Sequence, residues 1–218
     1  MSPDDVAIFL RTNPQFFDQH PELLEKIQVP HPYGGRAISL AERQTVALRE
    51  KLRLVEGKLA ELVHFGEEND AISEKVHRLS VALVGAADFP ALARSLYLHL
   101  REDFSVPHVA MRIWGKSVPA DFTEAEGVDP AQRQQAEGMS APGCGAAQGS
   151  PFLPWFGEAA EHVRSLALVP LADTAGDTAV FGVLALGSED PQRFYPEMGV
   201  LYLRRIGELC AAGVGARL

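Results

Sequence analysis

Cys144 stands between two glycines in the run Pro142-Gly143-Cys144-Gly145, where the missing side chains let a ligand or a second backbone approach the thiol closely. A thiol that acts as nucleophile or redox centre works as the thiolate, which needs a positive neighbour or a helix N-terminus. His108, His162 and Arg112 could supply one if the fold gathers them. Arg112 occupies the polar phase of the apolar run Val109, Met111 and Ile113, and a guanidinium there can take a phosphate or carboxylate through two parallel bonds. Ser165 and Ser188 offer hydroxyls at strand ends. Arg112, Cys144 and Ser165 are therefore the ligand-binding candidates. Each has a plainer reading beside it: a buried structural thiol, an arginine facing water or paired with an acid, and a serine at a turn or edge.

No residue is assigned a catalytic role, and no metal site is assigned. The histidines at 20, 31, 64, 77, 99, 108 and 162 form no pair with zinc-ligand spacing, and Cys144 and Cys210 lie too far apart in sequence to make a local motif. Gly143-Cys144-Gly145 lacks the third glycine and the following helix of a dinucleotide site, and no phosphate loop is present. No serine stands in a nucleophile elbow. The cofactor is accordingly unknown or none.

Whatever these residues do, a long helix comes before them. Ser39 followed by Glu42 is a capping box, so helix starts at Leu40. Leu48, Leu52, Val55, Leu59 and Leu62 then recur at alternating steps of four and three, the left-handed coiled-coil repeat. The seam continues through Gly66, Asn69, Ile72, Val76, Leu79 and Leu83, with a short step at Asn69 to Ile72 that disturbs the supercoil. At the usual rise per residue the helix could reach roughly 65 Å, longer than a small domain is wide. The favoured reading is dimerisation through this stripe, at Leu48, Leu52, Val55, Leu59, Leu62, Asn69, Ile72, Val76, Leu79 and Leu83. The alternative is a helix that folds back on its own globular part or breaks near Gly57 or Gly66.

Ahead of it, Ser2, Pro3 and Asp5 form a helix start and Asn13-Pro14 a stop. Phe16, Phe17, Leu23, Leu24 and Ile27 add a second short apolar helix, and Pro30, His31, Pro32, Gly34 and Gly35 make a turn. So small a head buries little alone, and Phe16 and Phe17 are read as core packing or as a partner-binding surface. After the long helix, Asp88 caps a helix to about Asp103. Strand patterns follow at Val109–Ile113, Leu166–Leu171 and Val180–Leu186, the last two joined as a hairpin at Gly176 and Asp177, and a final helix begins near Pro196. The weakly periodic stretch between Phe122 and Phe152 covers a pocket or hides further elements. The organisation is thus 1–38 as helical head, 39–86 as long helix and 87–218 as a two-layer α+β domain.

Composition narrows the partners. With 46% hydrophobic residues the chain can build a core. Its net charge is -9, and acidic residues outnumber basic ones in both 1–80 (13 against 10) and 81–218 (16 against 10), so a phosphate backbone meets repulsion and direct nucleic-acid binding is not expected. No signal peptide or apolar span is visible, and two cysteines make no disulfide scaffold; a cytoplasmic protein off the membrane is the expectation.

Taken together, the motifs resemble the GAF-like bacterial family known as domain of unknown function 484. The N-terminal likeness runs through Val6-x-x-Phe9-Leu10-x-x-Asn13-Pro14-x-Phe16-Phe17, His20-Pro21-Glu22-Leu23-Leu24, Val29-Pro30-His31 and Ser39-Leu40-x-Glu42-Arg43-Gln44. The C-terminal likeness runs through Cys144-Gly145, Ser165 to Leu171, Phe181 to Ser188, Asp190, Arg193-Phe194 and Pro196-x-Met198-Gly199. The resemblance implies a GAF-like domain with a central antiparallel sheet flanked by helices, and no settled activity. GAF domains in general bind small molecules or serve as dimerisation modules, and long helices of this kind flank them in signalling proteins. Three readings follow: a homodimeric sensory or scaffold protein with an unknown small ligand or none, a purely structural module whose head engages a protein partner, and, least supported, an enzyme using Cys144.

Overall fold

A computed structural model describes residues 2–29, 38–173 and 179–218. The turn expected at Pro30 to Gly35, the hairpin connection at Gly176 and Asp177, and the Ser39 side chain of the expected capping box lie outside what is described. The chain divides into two compact units, Met1–Glu68 and Asn69–Leu218.

In the first unit, helix α1 (Pro3–Thr12) opens as its sequence dictates. Ser2 Oγ accepts from the Asp5 N–H at 3.2 Å while the Asp5 carboxylate accepts from the Ser2 N–H at 2.6 Å, with Pro3 in the first turn. The bond from the Ser2 backbone holds the Asp5 carboxyl below its ordinary range. Two short helices, α2 (Phe16–Gln19) and α3 (Pro21–Lys26), replace the single one expected, because Pro21 begins a new first turn. Phe16 is the hub of the head, packing edge-on against Phe9 at 5.7 Å and Phe17 at 5.4 Å. No side chain of α1 is buried. Two-residue strands β1 (Gln28–Val29) and β2 (Ile38–Ser39) pair antiparallel ahead of the long helix.

Helix α4 (Leu40–Gly85) runs 46 residues without a break at Gly57 or Gly66. Strong helix formers around both glycines outweigh their cost of about 1 kcal/mol each. Its apolar stripe has two fates. Leu48, Leu52, Val55, Leu59 and Leu62 are exposed, 65% at Leu48 and 67% at Leu62. Val76, Leu79 and Leu83 are instead buried within the second unit, Leu79 completely, and Ile72 packs against the same core. The expectation of one dimer seam from Leu48 to Leu83 is corrected here. Val76, Leu79 and Leu83 are covered by the chain's own domain, and Ile72 is partly covered by it.

Helix α5 (Phe89–Glu102) starts where Asp88 Oδ1 accepts from the Ala91 N–H at 2.8 Å, and buries Phe89, Leu92, Leu96 and Leu100. Ser105, at a left-handed φ of 55°, ends that turn of the chain. The sheet contains β3 (His108–Ile113), β4 (Gly143–Ala146), β5 (Ser165–Ala172) and β6 (Val180–Ser188), in the order β3-β6-β5-β4, antiparallel throughout. Alternation along the strands divides the core. Val109, Met111, Ala167, Val169, Leu171, Leu184 and Leu186 face α4, α5 and the final helix α7 (Leu201–Gly215). Ala110, Leu166, Leu168, Val183 and Ala185 face a second layer formed by the middle segment, centred on fully buried Phe152.

That middle segment is structured. It contains a 3₁₀ turn at Thr123–Ala125, helix α6 (Pro130–Glu137) capped by Asp129, strand β4 and a kinked 3₁₀ run at Leu153–Glu161. Helix α7 begins at Leu201 and not near Pro196, because Pro196 is held in a turn closed by the Met198 N–H to the Tyr195 carbonyl at 3.1 Å. The result is a mixed α+β domain with a central antiparallel sheet flanked by helices, the arrangement the sequence led us to expect.

Candidate functional site

The three ligand candidates do not meet. Arg112 lies on β3 and Cys144 on β4, the two edges of the sheet, and three strand spacings with a three-residue offset along β5 put them roughly 17 Å apart. They also point to opposite faces: Arg112 pairs in register with Val183 of the second layer, while Cys144 pairs with Ala167 of the helix-facing core.

Arg112 is on the polar phase of its strand yet only 8% exposed. Its guanidinium donates to the Glu126 carboxylate at 2.7 Å and to the Met111 carbonyl at 3.0 Å, and lies 5.6 Å from the centre of the Trp155 ring. Trp155 is held in turn by Gln132, which accepts from the indole N–H at 3.2 Å and donates to the Pro151 carbonyl at 2.6 Å. Beside this network the buried Glu124 accepts from the Tyr97 hydroxyl. Burial first, and the Glu124 charge second, push the Tyr97 phenol above its ordinary range. Arg112 is therefore satisfied by an acid of its own chain, and Glu126, itself 58% exposed, is the partner that an incoming anion would have to displace.

Cys144 is half-buried, and loss of water pushes its thiol above the usual range. A reactive thiolate needs the opposite shift. A cleft of about 520 Å³ lies beside it, lined by Gly143, Gly145, Gln135, Gln148 and Leu166, with no histidine among its walls. His108 sits on the far edge strand, and His162 is exposed after the 3₁₀ run. Ser165 is fully buried: its Oγ donates to the Asp190 carbonyl at 2.6 Å and accepts from the Phe194 N–H at 3.3 Å, tying the start of β5 to the turn after β6. Ser188 accepts from the Asp190 N–H in the same turn. Among the described residues no cluster of His, Cys, Asp and Glu could hold a metal ion, and no helix is long and apolar enough to cross a membrane.

An opening of about 800 Å³ lies between the end of α6, β5 and α7, with Glu137, Asp173 and Glu208 around Arg204. A more apolar cleft of about 420 Å³ lies in the helix layer, between α4, the end of α5 and α7. Sequence reasoning missed it. Its charged groups, Lys75 and Arg193, sit 118 positions apart and signal nothing until the fold brings both to one cavity; only the Arg193-Phe194 pair stood out, as part of a family likeness.

The description of one protein family matches residues 1–216. The chain belongs to DUF484, a family described as proteins of unknown function. This DUF484 chain is similar to proteins named "Uncharacterized protein YigA" from Salmonella typhimurium, Shigella flexneri and Escherichia coli, each 25% identical over 213 residues, covering 93% of this chain and 87% of theirs. Among solved structures it is similar to the GAF domain of nlh2 from A. aeolicus in an inactive state, with TM-score 0.48 and 15% identity over 69% of this chain and 99% of that one. It is also similar to the GAF domain of a sensor histidine kinase from Pseudomonas syringae, with TM-score 0.47 and 16% identity over 69% and 90%. A third similarity is to free methionine-R-sulfoxide reductase from Neisseria meningitidis, with TM-score 0.49 and 22% identity over 66% and 89%.

Proposed function

We propose that this DUF484 chain is a GAF-like sensory or scaffold protein that works as a homodimer, paired through the first part of α4. The observation that carries the reading is the exposed row Leu48, Leu52, Val55, Leu59 and Leu62 at coiled-coil spacing. A surface helix with solvent on its apolar stripe leaves about 1.5 kcal/mol or more per leucine unrealised, and a second copy in register recovers it. Charged neighbours such as Glu50, Lys51, Arg53, Glu56 and Lys58 keep the other faces wet. Because α4 is one continuous helix whose last turns are packed in the α+β domain, pairing upstream and ligand-dependent packing downstream would act on one element.

Sedimentation equilibrium of the full chain tests the reading. A dimer is expected for the native protein, and Leu52→Glu with Leu59→Glu is expected to give a folded monomer. A native chain that remains monomeric at high micromolar concentration overturns it.

A second reading, a module whose head docks another protein, draws on the half-exposed aromatic cluster at Phe9, Phe16 and Phe17 and the absence of any buried side chain on α1. It expects Phe16→Ala with Phe17→Ala to abolish capture of one defined partner without changing subunit count.

A further inference from the structure

The cleft between α4, the end of α5 and α7 is lined chiefly by apolar side chains, among them Ile72, Leu100, Phe104, Met198, Leu203 and Ile206. Two cations, Lys75 from α4 and Arg193 from the turn before α7, complete the wall, and no Asp or Glu lines it. Lys75 forms no ion pair among the described residues. Arg193 donates one N–H to the Phe104 carbonyl and sets its guanidinium 5.7 Å from the Phe194 ring, but its Nε is buried with no hydrogen-bond partner. A buried guanidinium N–H left unpaired is costly, and its presence in a native fold calls for an explanation. Tyr202 bridges the same helices, donating to the Asn69 carbonyl at 3.0 Å and meeting the Ser73 hydroxyl at 3.1 Å.

We propose that this cleft binds an amphipathic monoanion, an aliphatic carboxylate whose chain lies between α4 and α7 and whose head group is taken by Lys75 and Arg193. Its volume is that of an ordinary small-ligand site, with many apolar walls and few convergent polar groups. The carboxylate would give the Arg193 guanidinium and Lys75 a shared counter-charge, while the chain fills the space between Ile72 and Leu203. Arg112 on the other sheet face already has Glu126, whereas neither Lys75 nor Arg193 has an acidic partner among the described residues. The proposal deepens the sensory reading by giving the domain a ligand class, and it rests on that reading for its role. Binding is measured separately from subunit count, so either can fail alone.

Isothermal titration calorimetry of the full chain with hexanoate, octanoate and decanoate, below their micellar concentrations, tests it. The expected result is one saturable site per chain. Affinity should rise up to about fourfold per added methylene, the equivalent of ~0.8 kcal/mol for each buried CH₂. Decanol, with the same chain and no charge, should bind at least about tenfold more weakly, as should the Lys75→Gln variant with decanoate. Ile72→Trp, at a half-buried wall position, should close the site while leaving the circular dichroism spectrum unchanged. Absence of saturable decanoate binding overturns the proposal. Equal binding of decanol and decanoate also overturns it, since the cleft then has no head-group site, and so does unchanged decanoate affinity in both variants.

Discussion

The guanidinium of Arg217, next to last in the chain, lies 2.9 Å from the Leu83 carbonyl at the end of α4. It also donates to the Ala86 carbonyl at 2.6 and 3.0 Å, to Val84 at 3.2 Å and to Gly213 within α7 at 2.9 Å. The last carbonyls of a helix have no intrahelical partner and carry its negative pole, so a planar cation with several donors suits them better than water does. One side chain thus caps the long helix and fixes the end of α7 to it.

Arg217→Ala is expected to destabilise the α+β unit by about 1.5–3 kcal/mol, the range for hydrogen bonds to charged groups. Arg217→Lys should restore only a fraction, because a compact ammonium with three donors cannot reach the four carbonyls of Leu83, Val84, Ala86 and Gly213 at once. Urea denaturation measures the loss. Hydrogen exchange should show it first at residues 83–86, and an equal loss spread over the whole unit would argue against a capping role.

A second expectation concerns the pair Tyr97 and Glu124. Tyr97→Phe removes the hydroxyl that satisfies a buried carboxylate and should cost about 1–3 kcal/mol at neutral pH. The phenol is harder to ionise in the folded chain than in the unfolded one. The folded state therefore holds its proton longer, so this stability is whole below the ordinary phenol value near 10 and is lost as pH rises beyond it. Denaturation of the native and Tyr97→Phe chains from pH 7 to 10.5 checks this: the gap should hold to about pH 9.5 and begin to narrow above. A gap that stays constant up to pH 10.5 would contradict the assignment.

The elements governed by local rules were legible in the sequence. The Ser2 and Asp88 caps, the alternation in β3, β5 and β6, and the unbroken α4 follow from side-chain chemistry within a few residues. Strand β4 was not legible, because Gly143-Cys144-Gly145-Ala146 has no alternation of its own and is a strand only through its pairing with Ser165–Leu168. The stripe of α4 illustrates a different limit. Heptad spacing says that Leu59 and Leu79 both want cover, but not whether the cover is a second copy or the chain's own sheet. The candidate site was least legible of all. Period-two alternation placed Arg112 off the helix-facing core, yet Glu126, Trp155 and the cleft holding Lys75 and Arg193 depend on segments far apart in sequence.

The last expectation tests how closely α7 lies on the sheet. Gly207 faces β5 so tightly that a Cβ built there would come within 2.6 Å of Val169 Cγ1, and one at Gly213 would come within 2.7 Å of Leu92 on α5. Val169 is β-branched and fully buried, with little freedom to turn away. Gly207→Val should therefore push α7 off β5 and cost about 1–3 kcal/mol from overpacking, despite valine's better intrinsic fit to a helix than glycine's. For a unit of this size that corresponds to a fall in Tm of about 2–4 °C per kcal/mol in differential scanning calorimetry. Because α7 also forms one wall of the cleft with Lys75 and Arg193, the same variant should weaken decanoate binding there. A Gly207→Val chain as stable as the native one would mean that α7 stands further from β5 than described.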